Sequence, residues 1–413
     1  MMSDTQYCKR CLYSTNHPLG LIIDEHGICS GCKIHEEKDS LDWQGRWEKL
    51  EGLIKPYRSK NGKNYDCIIP VTGANDSYYI VYLVKQKLGL NPLLVTYNKY
   101  FNTPLGIRNL ANLRVKFDCD ILVQNVNPHS VKKITRSTLR QFGSVYWPIL
   151  AGQSVFPVQT AVRYKVPLII WGAHQGLEQV GMFSHEHEVE MNRRYRKDHD
   201  LMGIEADDLL SIFDVLKEKD IWQYRYPDDH DINSVGVRGI YLGNYVRWDP
   251  KAQHEIMISN YDFKTSKFNR TFDCYDYVDC FNYMDIHDLL KLYKHGYSKV
   301  TDHACREIRF GRLSREQGVS LVKRNEKTKL KYLEQFREWL GTTQTAIQFL
   351  MDQHRNPRYW DQFEPKKWKF NGHSTVENEV TLNETDIKSM FQENSSLEYN
   401  RDATYITVGK GYP

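Results

Sequence analysis

"YDCIIPVTGANDSYYIVYLVKQKLGLNPLLVTY", residues 65–97, decides the fold class. The run DCIIPV (66–71) is short, apolar and bounded by polar residues, as a buried strand is. In YYIVYLVKQKLG (78–89), Ile80, Leu83, Val84 and Leu88 recur at helical spacing, and Gly89 supplies a stop. PLLVTY (92–97) is a second strand. The pattern continues outward. Thr103 caps a further helix with Pro104 at its first position and Ile107, Leu110 and Leu113 facing inward. DILVQNV (120–126) and VPLIIWG (166–172) read as a third and fourth strand, with longer helical material between them. Apolar strands separated by helices predict an α/β domain with a parallel sheet covered on both faces.

Upstream, four cysteines crowd the start of the chain: Cys8 and Cys11 in CKRC, Cys29 and Cys32 in CSGC. Paired C-x2-C spacing in a short segment predicts a four-thiolate metal site, most simply structural zinc, with an iron–sulfur cluster as the other occupant such ligands hold. Residues 33–64 are charged and carry Trp43 and Trp47. They read as a linking helix ended by Pro56. Beyond about residue 200 the pattern turns helical and irregular, and 284–326 predicts two or three helices with turns near Gly296 and Gly311. The expected organisation is a zinc-binding four-cysteine module (1–40), a linking helix (41–64), an α/β nucleotide-binding domain (65–265), a helical region (266–350) and an unassigned C-terminal extension (351–413).

Composition narrows the function classes. The chain has 413 residues, 40% hydrophobic and 26% charged, with a formal net charge of +4. That balance neither demands nor excludes a nucleic-acid partner. No signal peptide and no membrane-length apolar run is visible in the sequence, so the expected location is cytoplasmic. In that compartment the nine cysteines suit metal ligands or buried thiols better than disulfides.

The loop "TGANDS" (72–77) falls where the first strand ends and a helix begins, at the carboxyl edge of the sheet, where open α/β folds bind ligands. Unpaired N–H groups there suit phosphate, Gly73 permits close approach, Thr72 and Ser77 offer hydroxyls, and Asp76 suits a bound magnesium ion. There is no Walker lysine. The same residues also fit an ordinary capped turn.

"TGANDS" resembles the S-G-G-x-D-S signature of the PP-loop ATP pyrophosphatases. More of the chain resembles one branch, the N-acetyl sugar amidotransferases, which form acetamidino groups on bacterial surface sugars such as pseudaminic, legionaminic and O-antigen uronic acids. The likeness rests on the paired cysteines and YDCIIPVTG-x-x-DS, then on LGLNPLLVTYN (88–98), TPLGIRNLANL (103–113) and VPLIIWG with a following glutamate. It continues in LKLYKHGYSKVTDHACREIRFGRLSRE (290–316) and LVKR (321–324), running from about Cys8 to about residue 326. The resemblance implies that Thr72, Gly73, Ala74, Asn75, Asp76, Ser77 and Gly172 hold ATP with Mg2+. It also implies an amide oxygen activated by adenylation and ammonia delivered by a separate glutamine amidotransferase subunit, with a histidine-biosynthesis-like synthase as a further candidate partner.

Departures stand beside it. Ala74 replaces a usual second glycine, at a penalty of about 1 kcal/mol if that position needs positive φ. Asn75 replaces a residue that is often basic, and Ala173 and His174 replace a usual Glu-Asn pair. Glu178, expected to deprotonate ammonium or orient the amide, and His174 are the candidate catalytic groups beside Asp76. Asp302, His303, Arg309 and Arg312 are candidate substrate ligands, because clustered arginines suit a carboxylate or a diphosphate; a solvated face with internal Asp–Arg pairs is the alternative. The rival functions are a PP-loop tRNA thiolation enzyme and a non-catalytic PP-loop scaffold.

Overall fold

The computed structural model describes residues 5–74, 76–372, 380, 382, 387 and 389–396. Five strands form one all-parallel sheet: β1 (Cys67–Pro70), β2 (Pro92–Tyr97), β3 (Asp120–Gln124), β4 (Leu168–Trp171) and β5 (Arg238–Tyr241), in the order β3-β2-β1-β4-β5. The four strands read from the sequence are all present. The fifth was missed, because RGIY is four residues long and opens on Arg-Gly, which breaks any apolar run.

Alternation within the strands explains why both faces are covered. Ile68, Leu93, Val95 and Ile169 pack with Phe156, Val158 and Ala161 of the helix Trp147–Tyr164. Cys67, Ile69, Leu94, Leu168 and Ile170 join the larger core, which holds Val81, Val84, Leu110 and Leu113. These last four sit on the helices that follow β1 and β2: Ser77–Val81, continued as a π-helix over Tyr82–Lys87, and Pro104–Phe117. Thr103 caps the second of these as expected, accepting from the Gly106 N–H at 2.9 Å.

The chain runs from β1 outward to β3, then returns to place β4 on the other side of β1. The carboxyl ends of β1 and β4 therefore diverge, and a crevice opens between their loops. Downstream, the helices Asp288–His295, Lys299–Arg309 and Arg315–Glu326 turn at Gly296 (φ 73°) and Gly311 (φ 69°), at the expected positions. The N-terminal cysteines share a separate core with the last two of these helices, through Leu12, Tyr13, Val300, Ala304, Cys305 and Val319. Within the region left unassigned from sequence, Trp360–Glu364 and Lys367–Phe370 form an antiparallel hairpin outside the main sheet. Among the described residues no helix is long and apolar enough to cross a membrane.

Candidate functional site

The crevice at the switch point is lined on one side by Val71, Thr72, Asp76 and Ser77 after β1 and on the other by Trp171 at the end of β4 and Gly172, Ala173 and His174 after it. The first loop is held by its own hydroxyls. Ser77 Oγ accepts from the Thr72 N–H at 3.0 Å, and Thr72 Oγ1 accepts from the Ala74 N–H at 3.3 Å. Gly73 takes φ +80°, and a Cβ there would stand 2.6 Å from the Gly106 carbonyl oxygen, so both backbone and packing require glycine. Ala74 is fully buried and is not among the residues with positive φ, so the penalty considered for alanine there does not arise. Asn75 lies outside the described residues. Burial pushes the Asp76 carboxyl up to about 7.

On the opposite wall, a Cβ on Gly172 would meet Ile80 at 2.9 Å and Trp248 at 3.1 Å, so glycine lets this loop sit against the first helix. His174 caps a short helix, Gln175–Glu178, by accepting from the Gly176 N–H at Nδ1, 3.0 Å away. Burial, aided by the nearby Arg196 charge, pushes its imidazole down to about 3, so the ring is neutral at physiological pH. Glu178 is not on the crevice wall. Its carboxylate accepts from Lys38 Nζ at 2.5 Å, and Lys38, almost wholly buried, also donates to the Trp248 carbonyl at 3.1 Å.

The four N-terminal cysteines converge as expected, all buried, with Sγ atoms mutually within 4.8 Å. Cys11 and Cys29 sulfurs are 3.5 Å apart, and Cys8 and Cys32 sulfurs 4.0 Å. A tetrahedral ion with metal–sulfur bonds of about 2.3 Å needs sulfurs about 3.8 Å apart, so the set fits a metal ion. Backbone N–H groups of Arg10, Cys11 and Cys29 point at Cys8 Sγ at 3.3–3.4 Å, which suits a thiolate.

The 302–312 cluster sits elsewhere. Asp302 pairs with Lys291 (2.6 Å) and Lys299 (3.0 Å) and accepts from the Tyr13 hydroxyl at 2.8 Å. His303 Nδ1 lies 2.7 Å from Thr271 Oγ1. Arg312 reaches both oxygens of Asp249, at 2.9 and 3.1 Å, and Glu307 at 2.5 Å. Arg309 donates to the Glu178 and Gln179 carbonyls at 2.9 and 2.8 Å and approaches Cys29 Sγ at 3.6 Å. None of the four lines the crevice. Sequence reasoning passed over Arg196, Tyr241, Lys99 and Tyr283, which do line it. The basic run NRRYRKD (192–198) carried a signal for the first, but nothing local marks which of its cations turns inward.

Comparison with known proteins adds three findings. Residues 262–373 match the family model described as "LPS biosynthesis protein WbpG-like, C-terminal domain". An uncharacterized protein of Methanocaldococcus jannaschii is 24% identical over 118 residues, 29% of this chain and 42% of that protein, so the match spans less than half of the relative's length. The solved NMN synthetase from Francisella tularensis aligns over 46% of this chain and 81% of its own, at 13% identity and a TM-score of 0.26, too low for the likeness to carry an argument. The family match contains the 290–324 motifs and runs on past residue 350, where the resemblance noted in the sequence had faded. Over 262–373 the chain is thus similar to the WbpG-like C-terminal domain of LPS biosynthesis proteins, which supports the resemblance to acetamidino-sugar biosynthesis enzymes.

Proposed function

We propose that the protein is an ATP-dependent amidotransferase that converts an N-acetyl group of a bacterial surface sugar into an acetamidino group. The observation that carries this reading is the crevice, with the TGANDS loop on one wall and the Gly172–His174 loop on the other, in a chain that bears a lipopolysaccharide-biosynthesis domain.

An amide carbon resists ammonia because its oxygen is a very poor leaving group. In the reaction proposed, the amide oxygen attacks the α-phosphorus of ATP and pyrophosphate departs. Ammonia then adds to the carbon, AMP leaves with the oxygen, and a proton is lost to give the amidine. The chain's part is positioning and charge neutralisation. The Thr72–Ser77 loop would hold the terminal phosphates by exchanging its internal amide and hydroxyl contacts for phosphate oxygens, and Asp76 would meet them through Mg2+, a cation that favours the ionised form which burial alone opposes. His174, neutral and buried, is suited to hold the substrate by a single hydrogen bond from Nε2. Glu178, tied to Lys38, would act by fixing the loop that carries His174. Zinc in the four-cysteine cluster would be structural, and ammonia would come from a separate glutaminase subunit.

Among the described residues the crevice lining contains no cysteine. The test is AMP release from ATP by the purified protein given ammonium chloride and an acetamido sugar acid. AMP formation dependent on both co-substrates is expected. Turnover that needs tRNA instead, or no ATP binding at all, overturns the reading.

A further inference from the structure

The β4–β5 end of the crevice carries several buried hydrogen-bond donors, and the one carboxylate among its described lining residues, Asp200, is paired with Arg196. Three side chains lining it carry buried N–H groups that find no acceptor among the described residues: Trp171 at Nε1, His174 at Nε2, and Arg196 at Nε and Nη2. His174 is only 3% exposed. Because its Nδ1 accepts from Gly176, the neutral ring carries its proton on Nε2. The Arg196 guanidinium is fixed from three directions. It lies over the Trp171 ring at 4.2 Å, near Tyr241 at 5.8 Å, and gives Nη1 to Asp200 at 2.6 Å. Tyr241 also holds the His174 ring edge-on, 4.7 Å away.

What remains on Arg196 is its Nε–Nη2 edge, the side of a guanidinium that grips two oxygens of one planar anion. The same edge is filled a turn earlier in the chain: Arg193 Nε and Nη2 hold the two oxygens of Glu205 at 2.8 and 3.0 Å. Arg238 uses it on Glu190. Buried donors are normally partnered, so several left over around one crevice signal an acceptor that is not part of the chain.

We propose that this end of the crevice is an oxyanion site that binds the carboxylate of an acidic acetamido sugar, with Arg196 gripping both oxygens and Trp171 and His174 donating one hydrogen bond each. The assignment rests on the amidotransferase reading and adds the residues that select the substrate. The phosphate loop lies across the switch point after β1, so the two anions occupy opposite walls. A phosphate offers the same acceptor chemistry, and the test separates the two sources.

The full chain is titrated calorimetrically with N-acetylneuraminic acid, with its methyl ester, and with magnesium α,β-methylene-ATP. The wild-type protein is expected to prefer the acid to the ester by about tenfold or more, since a charged hydrogen-bonded pair supplies at least that discrimination. Arg196→Lys, which keeps the charge but loses the fork, should abolish most of the preference. Trp171→Phe, which keeps the ring but loses the N–H, should reduce it. Both variants should bind the ATP analogue within about twofold of wild type, and that binding also reports that they are folded. Equal binding of acid and ester, or no binding of the acid, overturns the proposal. So does a tenfold loss of ATP-analogue affinity in Arg196→Lys, which would assign the edge to a nucleotide phosphate. Failure of the wild type to bind the ATP analogue would strike the functional reading instead, while the acid–ester contrast still decides the oxyanion site.

Discussion

Replacing Arg309 by methionine tests how the cysteine cluster and the crevice are joined. The Arg309 guanidinium donates to the carbonyls of Glu178 and Gln179 at 2.9 and 2.8 Å and lies 3.6 Å from Cys29 Sγ and 3.9 Å from Cys11 Sγ. Methionine keeps much of the side-chain volume but leaves two carbonyls without their donor and the thiolates without their cation. Each lost charge-assisted hydrogen bond is worth about 1.5–3 kcal/mol, so a total loss of roughly 3 kcal/mol is expected after partial rescue by water. Urea unfolding of the metal-loaded protein measures it. The origin of the loss is separable by a double-mutant cycle with Cys29→Ser. If Arg309 acts as the link between metal site and loop, the two changes couple by about 1 kcal/mol or more and do not add. A loss under about 0.5 kcal/mol, or strict additivity, would refute the link. Arg309 would then be left for a role outside the fold, such as the substrate contact its position in the arginine cluster first suggested.

Gly73→Ala forces a side chain into φ +80° and sets a Cβ 2.6 Å from the Gly106 oxygen; strain and overpacking together should destabilise by about 2–4 kcal/mol in urea unfolding and weaken ATP-analogue binding. Lys38→Met strands the Glu178 carboxylate beside a buried site, at about 3 kcal/mol, and adding Glu178→Gln should recover part of that, whereas no recovery would show that Lys38 acts through packing alone. Burial raises the Glu326 carboxyl from 4.5 to about 7, so its contribution to stability is fully present below pH 4.5 and is lost as pH rises through 7. Glu326→Gln should therefore gain on wild type by up to about 3 kcal/mol between pH 4.5 and pH 8, read as the difference in unfolding midpoint along a pH series.

The parts of this fold legible in the sequence are those where local chemistry and tertiary role coincide. Thr103-Pro104 announces a helix start because capping depends only on neighbours, and the structure keeps it. PLLVTY reads as a strand because every one of its six residues is buried, so no polar face interrupts the run. β5 was illegible for the opposite reason: Gly239 packs so closely on Met191, 2.7 Å from a would-be Cβ, that a glycine stands where strand propensity would put a branched residue. At the site, the loop at 72–77 was visible because a strand-to-helix junction is local. Which member of NRRYRKD faces the crevice depends on Trp171 and Tyr241, distant in sequence, and could not be read. The contacts of the cluster at 302–312 were hidden for the same reason, since its partners Asp249, Lys291 and Glu178 lie on other segments.

The cysteine module reaches the crevice by more than Arg309. Its first helix, Ser30–Glu37, meets the stretch after β4 at two glycines: a Cβ on Gly31 would stand 2.3 Å from the Gln179 oxygen, and one on Gly181 2.3 Å from the Ser30 oxygen. Ser30 Oγ donates to the Val180 carbonyl at 2.5 Å, and Glu37 accepts from Ser184 Oγ and the His185 N–H, both at 3.0 Å. The segment from His174 to His185 is thus backed by residues whose own position depends on four converging sulfurs, whereas β1 and β2 are backed by the main core. A metal that organises the module should therefore govern the crevice wall first and the sheet hardly at all. Hydrogen exchange before and after chelation measures this directly. Amides of 176–187 should lose protection at least tenfold while those of Ile69 and Leu94 change little, and equal loss in both regions, or none in the first, would show that the wall stands without the metal.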